Sequence, residues 1–256
     1  MKKILNKKKI AVRFGKKENL SAKKKIFGFL KNLEVEITDD AAQADLAIIV
    51  GGDGTFLYWQ SEFKCPLLGV KDKKEGVGYY MSASLEDFSE KISTALSGKK
   101  GKDYYVLELL KLEADLNGKK LPLALNEYLI SSGYTREMFN CIADIKGKRS
   151  LERNSGVIGY TPTGSNAFAK AARAKRLDWN CRKMGITALA PYSGELERGE
   201  ILLDNGGAVI ECLNDKGEIC VDGQIKYSYK IKRGDIITVR KSAEQARVIG
   251  FSPNFL

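Results

Sequence analysis

Gly51-Gly52-Asp53-Gly54-Thr55 follows directly on the apolar run Leu46-Ala47-Ile48-Ile49-Val50. A buried strand that ends in glycines around one carboxylate brings backbone N–H groups close to phosphate oxygens, because no Cβ stands in the way. Asp53 faces the same place, where a carboxylate accepts the proton of an attacking hydroxyl or helps to hold Mg²⁺. Strand and loop together point to phosphoryl transfer. The competing reading is an ordinary glycine turn with a solvated aspartate.

The chain has 256 residues, 43% hydrophobic and 29% charged, enough for one large core or two smaller ones. No stretch approaches the roughly 20 apolar residues of a membrane span, and the basic N-terminus is no cleaved signal peptide. A cytoplasmic protein with no membrane partner is expected. Histidine is absent, which removes Ser-His and Cys-His nucleophile pairs and leaves acid–base chemistry to Asp, Glu, Lys or Tyr. Cys65, Cys141, Cys181, Cys212 and Cys220 are scattered without zinc-site spacing and read as reduced thiols. The net charge of +11, with lysines crowded into residues 1–31, favours anionic ligands such as nucleotides or polyphosphate. No nucleic-acid-binding motif with interleaved aromatics accompanies that charge, so nucleic acid is not an expected partner.

Periodicity places strands at 9–14, 45–50 and 66–70 and helices at 20–33, 55–62 and 85–96. Residues 1–100 therefore read as an α/β domain on a parallel sheet, whose ligand crevice lies beyond the carboxyl ends of its strands. The segment Ser97-Gly98-Lys99-Lys100-Gly101-Lys102 marks a break. From 101 to 240 the pattern is mostly β, with strands at 104–116 and 121–131 flanking the hairpin signal Asn117-Gly118. Further runs at 140–145, 156–160, 185–190, 208–213, 218–221, 225–231 and 236–239 predict a β-sandwich-like second domain. Its one clear helix spans about 165–176, and residues 241–256 form a C-terminal tail placed to return to the first domain.

Three further segments carry polar groups in suggestive places. Asn126-Glu127 sets an amide and a carboxylate side by side in an apolar strand, where buried polar groups need partners: a nucleotide, or neighbours along a strand edge. Thr161-Pro162-Thr163-Gly164-Ser165, followed by Asn166-Ala167-Phe168, is a tight turn feeding a helix start, where free N–H groups favour phosphate or ribose oxygens and Phe168 offers a stacking face. Val221-Asp222-Gly223-Gln224 puts a carboxylate in a glycine turn between strands, the weakest of the signals.

The order and spacing of these four segments resemble the NAD kinase family, whose members carry a GGDGT loop, an asparagine-glutamate pair, a TPTGSTAY-like turn and a late VDG turn. The resemblance spans nearly the whole chain. Related lipid kinases share the glycine loop but place an asparagine-glutamate pair close behind it, whereas here Asn126-Glu127 lies far downstream. The resemblance implies an α/β domain followed by a β-sandwich. It also implies transfer of a phosphoryl group from ATP or polyphosphate, with a divalent metal such as Mg²⁺, to the 2′-hydroxyl of NAD's adenosine ribose. Asp53 would be the general base or organise metal and hydroxyl, with Gly51, Gly52, Gly54 and Thr55 as the phosphate cradle. Asn126 and Glu127 would hold the nucleotide. Ser155, Thr161, Thr163, Gly164, Ser165, Ala167, Phe168, Lys170, Asp222 and Gln224 would serve the NAD site, and a homo-oligomer, dimer or tetramer, is implied. The alternatives are a lipid or nucleoside kinase of related fold and a weakly active dinucleotide-binding sensor.

The chain departs from the family where substrate is expected. Ser155 stands in place of the usual aspartate, Phe168 in place of tyrosine, Asn166 in place of serine or threonine, and Arg173-Ala174 in place of a glycine pair. The glycine-leucine-glycine-phenylalanine segment of the first domain reads Glu75-Gly76-Val77-Gly78-Tyr79-Tyr80. Lys170, Arg173, Lys175, Arg176, Arg182 and Lys183 make the helix after the turn strongly basic, able to meet phosphates or to remain a solvated face.

Overall fold

A run of 6 residues buried along its whole length, Leu46–Gly51, needs cover on both faces, which a parallel sheet obtains from its crossover helices. The computed structural model describes residues 7–16, 19–73, 75–134, 136–196, 201–253 and 255–256. The chain divides into two compact units, Met1–Glu108 with Ala246–Leu256, and Leu109–Gln245. The first unit contains β1 (Lys8–Phe14), α1 (Leu20–Leu30), β2 (Val35–Ile37), β3 (Leu46–Gly51), α2 (Asp53–Trp59), β4 (Leu67–Lys71), β5 (Ala83–Ser84) and α3 (Phe88–Ser97). β1 lies between β2 and β3, β4 follows β3, and β5 pairs with β4, every pair parallel. Val248 also pairs in parallel with Leu67.

Two helices cover this sheet with residues spaced three to four apart. α1 buries Ala22, Ile26 and Leu30 and is capped by the Asn19 side chain, which accepts the Ala22 N–H at 3.1 Å. α3 buries Phe88, Ile92 and Ala95. Together with Ile10, Ile48, Val50, Leu68 and Val70 they form one core. α2 starts directly where β3 ends, which puts the glycine loop at the carboxyl edge of the sheet.

The long strand β6 (Tyr105–Leu116) leads into the second unit, followed by β7 (Lys119–Lys120), β8 (Glu127–Ser131), β9 (Phe139–Ile145), β10 (Lys148–Asn154), β11 (Gly156–Tyr160), α4 (Phe168–Ala171), β12 (Met184–Leu189), β13 (Ile201–Leu203), β14 (Gly207–Cys212), β15 (Gly217–Val221), β16 (Ser228–Ile231) and β17 (Ile236–Gly250). The hairpin between β6 and β7 turns on Asn117 and Gly118, at φ 52° and 79°, the left-handed pair that a two-residue turn requires. One antiparallel sheet runs β13-β12-β11-β8-β15-β16. Antiparallel strands β10, β9, β14 and β17 run side by side in a second. Tyr128, Ile130, Val157 and Ile186 from the first sheet share a core with Phe139, Cys141, Ala143, Ile210, Ile237 and Val239 from the second. Two inner faces closing on one core make a sandwich.

The helix expected at 165–176 is not there. Residues Gly164–Asn166 form a single 3₁₀ turn, Ala167 breaks the helical path at φ −101°, ψ −127°, and α4 is 4 residues long. It stops because Arg173 takes the left-handed conformation at φ 58°. The Arg173 N–H bonds back to the Lys170 carbonyl at 3.0 Å and the Ala174 N–H to that of Ala169 at 3.1 Å, the paired closure that ends a helix. Among the described residues no helix is long and apolar enough to cross a membrane.

Candidate functional site

In the first unit the glycine loop opens into a cleft of about 310 Å³ lined by Gly15, Lys16, Gly51, Gly52, Asp53 and Thr55 together with residues 71–73 and 75–78. Gly51 sits at φ 154° against the Thr55 side chain, where a Cβ would collide. Gly52 and Gly54 are exposed, with open space where a Cβ would stand, so their backbone faces solvent in the way a phosphate cradle requires. Asp53 opens α2, and its two carboxylate oxygens accept the N–H groups of Tyr79 and Tyr80, each at 2.9 Å. The Tyr80 ring stacks on Phe56 of the same helix, centroids 4.9 Å apart and planes 7° from parallel. Asp53 is thus oriented by backbone donors, and each oxygen keeps lone-pair capacity for a further proton or cation.

The Glu75–Tyr80 segment, altered from the family pattern, supplies those donors. Gly76 and Gly78 take φ of 86° and 68°, and the Lys71 ammonium donates to the Gly76 carbonyl at 2.7 Å. Lys16 and Lys73 also line the cleft, Lys16 with its ammonium 5.8 Å from the centre of the Tyr58 ring. These lysines and Asp72 were not among the expected site residues. The charged run that ends and follows strand β4 was the signal for Lys71, Asp72 and Lys73; Lys16 stands two residues beyond β1.

In the second unit the expected residues form a tight knot. Asp222, at φ 50° in the turn after β15, is buried, and its carboxylate accepts the N–H groups of Leu125 at 2.9 Å, Asn126 at 2.7 Å and Glu127 at 3.1 Å. Thr161 and Thr163 both donate their hydroxyls to the Leu125 carbonyl, at 2.6 and 3.0 Å, and the Gly164 N–H returns to the Thr161 hydroxyl at 2.9 Å. Gly164 packs so closely on Asn126 that a Cβ would run into its carbonyl. The Ser165 hydroxyl donates to the Pro162 carbonyl at 2.6 Å and accepts the Leu177 N–H at 2.9 Å, folding the following segment back on the turn. Gln224 donates its amide to the Asp222 carbonyl at 3.3 Å.

Thr161, Thr163, Ser165 and Asp222 thus direct polar atoms to the chain itself. Glu127 differs. It is buried, one oxygen accepts the Phe168 N–H, and Oε2 has no partner. Burial, and after it the like charge of Asp222, pushes the Glu127 carboxyl up to about 8. Burial also pushes Asp222 up to about 6, against the pull of its amide donors and of Lys111. Phe168 is 42% exposed and Lys170 lies outside the knot, exposed on α4, while Ala167 sits at the break between the two turns. Ser155 is not brought to this place. It precedes β11, whose far end pairs Tyr160 with Glu127, so about 16 Å of strand separates it from the knot.

Among the described residues no cluster of three His, Cys, Asp or Glu side chains is arranged to hold a metal by itself. Asp53, Asp72 and Glu75 on the cleft fit a hard cation that arrives with substrate phosphates, the way Mg²⁺ is usually held.

No established family profile matches the chain. In sequence it is similar to curated NAD kinases. It is 28% identical over 225 residues to that of Thermoplasma volcanium, covering 87% of this chain and 79% of the relative. It is 26% identical over 271 residues to that of Methanothermobacter thermautotrophicus, covering 96% and 92%. In structure it is similar to yeast NADH kinase complexed with NADH, with a TM-score of 0.84 at 17% identity over 97% of this chain and 85% of that one. It is also similar to an NAD kinase from Archaeoglobus fulgidus in complex with ATP, with a TM-score of 0.76 at 23% identity over 95% and 93%. The fold is that of the NAD and NADH kinases. Along most of its length the chain is a divergent relative of the NAD kinases.

Proposed function

We propose that the protein is an NAD kinase, which moves a phosphoryl group from ATP or polyphosphate to the 2′-hydroxyl of the adenosine ribose of NAD. The observation that carries this reading is Asp53, fixed by the Tyr79 and Tyr80 amides at the mouth of an open glycine cradle in a chain related to NAD kinases. Asp53 takes the proton of the acceptor hydroxyl as the phosphoryl group transfers. The backbone at Gly52 and Gly54, with Lys16, Lys71 and Lys73, binds the phosphates and holds them for in-line attack.

Asp53 and Asp72 would hold a divalent cation together with donor phosphates. Such an ion would neutralise charge on the donor phosphates. In the second unit Asn126 and Glu127 orient the nucleotide and Phe168 offers its ring face. Glu127, neutral for much of the range below pH 8, donates through one oxygen while accepting through the other. A cytoplasmic location and a homo-oligomeric state belong to the same reading.

The deciding assay incubates the purified protein with NAD or NADH, Mg²⁺ and either ATP or polyphosphate, and measures NADP(H). Formation of the phosphorylated dinucleotide is expected. Turnover of lipids or other nucleosides, with none of NAD or NADH, would overturn the assignment.

A further inference from the structure

Among the described residues of the second unit, one buried side chain is basic, and it has no part in the chemistry above. Lys111 lies in β6 and is 3% exposed, a position where burying an ammonium is costly without an anion nearby. The backbone explains its location. Leu112 and Ala124 exchange both hydrogen bonds, at 2.9 and 3.0 Å, so the antiparallel register sets Lys111 across from Leu125, the first of the residues whose amide Asp222 holds. Lys111 is attracted by Glu244 of β17 and by Asp222. Asp222 is faced by Lys111 from β6 and by Glu127 and Tyr128 from β8, with Cys220 on its own strand. Lys111 is the one cation in that group.

We propose that Lys111 is a positioning residue for the dinucleotide site: its buried ammonium holds the Asp222 carboxylate in its ionised, triply accepting state, and Asp222 in turn pins the backbone that presents Asn126 and Glu127. A neutral Asp222 carries a proton on one oxygen and no longer accepts three amides as a full anion, so the Leu125–Glu127 backbone loosens. Burial resists ionisation of Asp222; its three amide donors oppose that resistance first, and Lys111 adds to them from across the strand. The link to nucleotide affinity rests on the NAD kinase reading; the link to backbone order does not.

The test uses Lys111→Met, with Lys111→Arg as the conservative partner, in the full chain. Without nucleotide, amide hydrogen exchange at residues 125–127 is expected to speed up about tenfold in Lys111→Met near pH 6.5, the loss of one charge-assisted hydrogen bond, while β11 amides keep their protection. With nucleotide, KM for NAD should rise and kcat hold, and the KM defect should shrink as pH rises and Asp222 ionises unaided. Lys111→Arg should restore both. Uniform acceleration of exchange across the unit, or an unchanged rate at 125–127, would overturn the proposal. If exchange responds as stated and KM does not, the backbone link stands and the dinucleotide assignment is what fails. Should Lys111→Met not fold, Glu244→Gln removes the competing surface carboxylate. It is then expected to lower the pH at which the 125–127 amide signals titrate, and no shift or an upward shift would overturn the inference.

Discussion

The glycine loop of the first unit and the TPTGS turn of the second are both short, glycine-containing turns that lead into helices, and they use their polar groups in opposite ways. Gly52 and Gly54 are exposed, and the Asp53 carboxylate stands on the cleft with two amide donors behind it. Thr161, Thr163, Ser165 and Asp222 are buried, and their oxygens close on neighbouring backbone. The first loop turns its carboxylate and glycines to an open cleft. The second is built to hold Asn126 and Glu127 in place, so that a motif rich in hydroxyls acts as a frame more than as a contact surface.

That contrast can be broken at four places. The largest effect is expected at Asp53. Asp53→Asn keeps the size of the side chain and one acceptor but cannot take a proton, so turnover should fall by roughly 10²–10⁴. The melting temperature should fall less than in Asp222→Asn, because the amide then left facing the Tyr79 or Tyr80 N–H sits on a half-buried residue beside an open cleft. Comparable losses of turnover and of folded protein would instead make Asp53 part of the frame.

Asp222→Asn should show the reverse. It turns one of three accepting contacts into a buried donor facing an N–H, at a cost of about 2–4 kcal/mol in stability. Urea denaturation measures this directly, and an unchanged midpoint would remove Asp222 from its structural role.

Glu127 sharpens the comparison through pH. Its folded-state value of about 8 stands above the ordinary 4.5, so its contribution to stability is fully present below that ordinary value and is lost as pH rises through about 8. Asp222 acts in the same sense up to about 6, which leaves the window between 6 and 8 to Glu127. There the ligand-free protein should lose stability with rising pH, by at most about 1.4 kcal/mol per unit. Glu127→Gln should flatten the slope. An equal slope in the variant would assign the effect elsewhere.

The smallest effect is expected at Arg173, where an L-residue holds the left-handed position that ends α4. Arg173→Gly relieves that strain and should raise stability by about 0.5–1 kcal/mol after allowing for the freer unfolded chain. A lower melting temperature would mean that the arginine side chain makes a contact worth more than the strain.

What the sequence made legible followed local rules. The continuous apolar run of β3 and the Asn117-Gly118 turn announce themselves within a few residues, and both stand where periodicity and turn chemistry put them. β10 was missed because its inward positions are Ser150, Glu152 and Asn154, an inverted pattern that only the fold explains: Glu152 is buried to accept the Glu195 and Leu196 amides at 2.9 and 3.2 Å. The helix expected at 165–176 failed for a related reason. Ser165 satisfies Leu177 instead of the next turn, and a hydroxyl used across 12 residues leaves no local trace. β17 runs from Ile236 to Gly250, well past the expected 236–239, because its charged middle hid the continuation. In the site, Asp53 was legible from its glycines. Tyr79 and Tyr80 were not, since they act through backbone N–H groups that every residue but proline carries.

The close fit of Gly164 on Asn126, set beside the open space around Gly52 and Gly54, separates two kinds of intolerance to change. A lineage that acquired a side chain at 164 would lose the folded second unit before any selection on catalysis could act. A lineage that acquired alanine at 52 or 54 would still make a well-folded protein, because neither residue takes a left-handed conformation and neither has a neighbour to displace. It would be purged only where phosphate binding matters to the cell. Of the four glycines in these two motifs, Gly51 and Gly164 record what folding demands, and Gly52 and Gly54 are left to what the proposed ligand would demand.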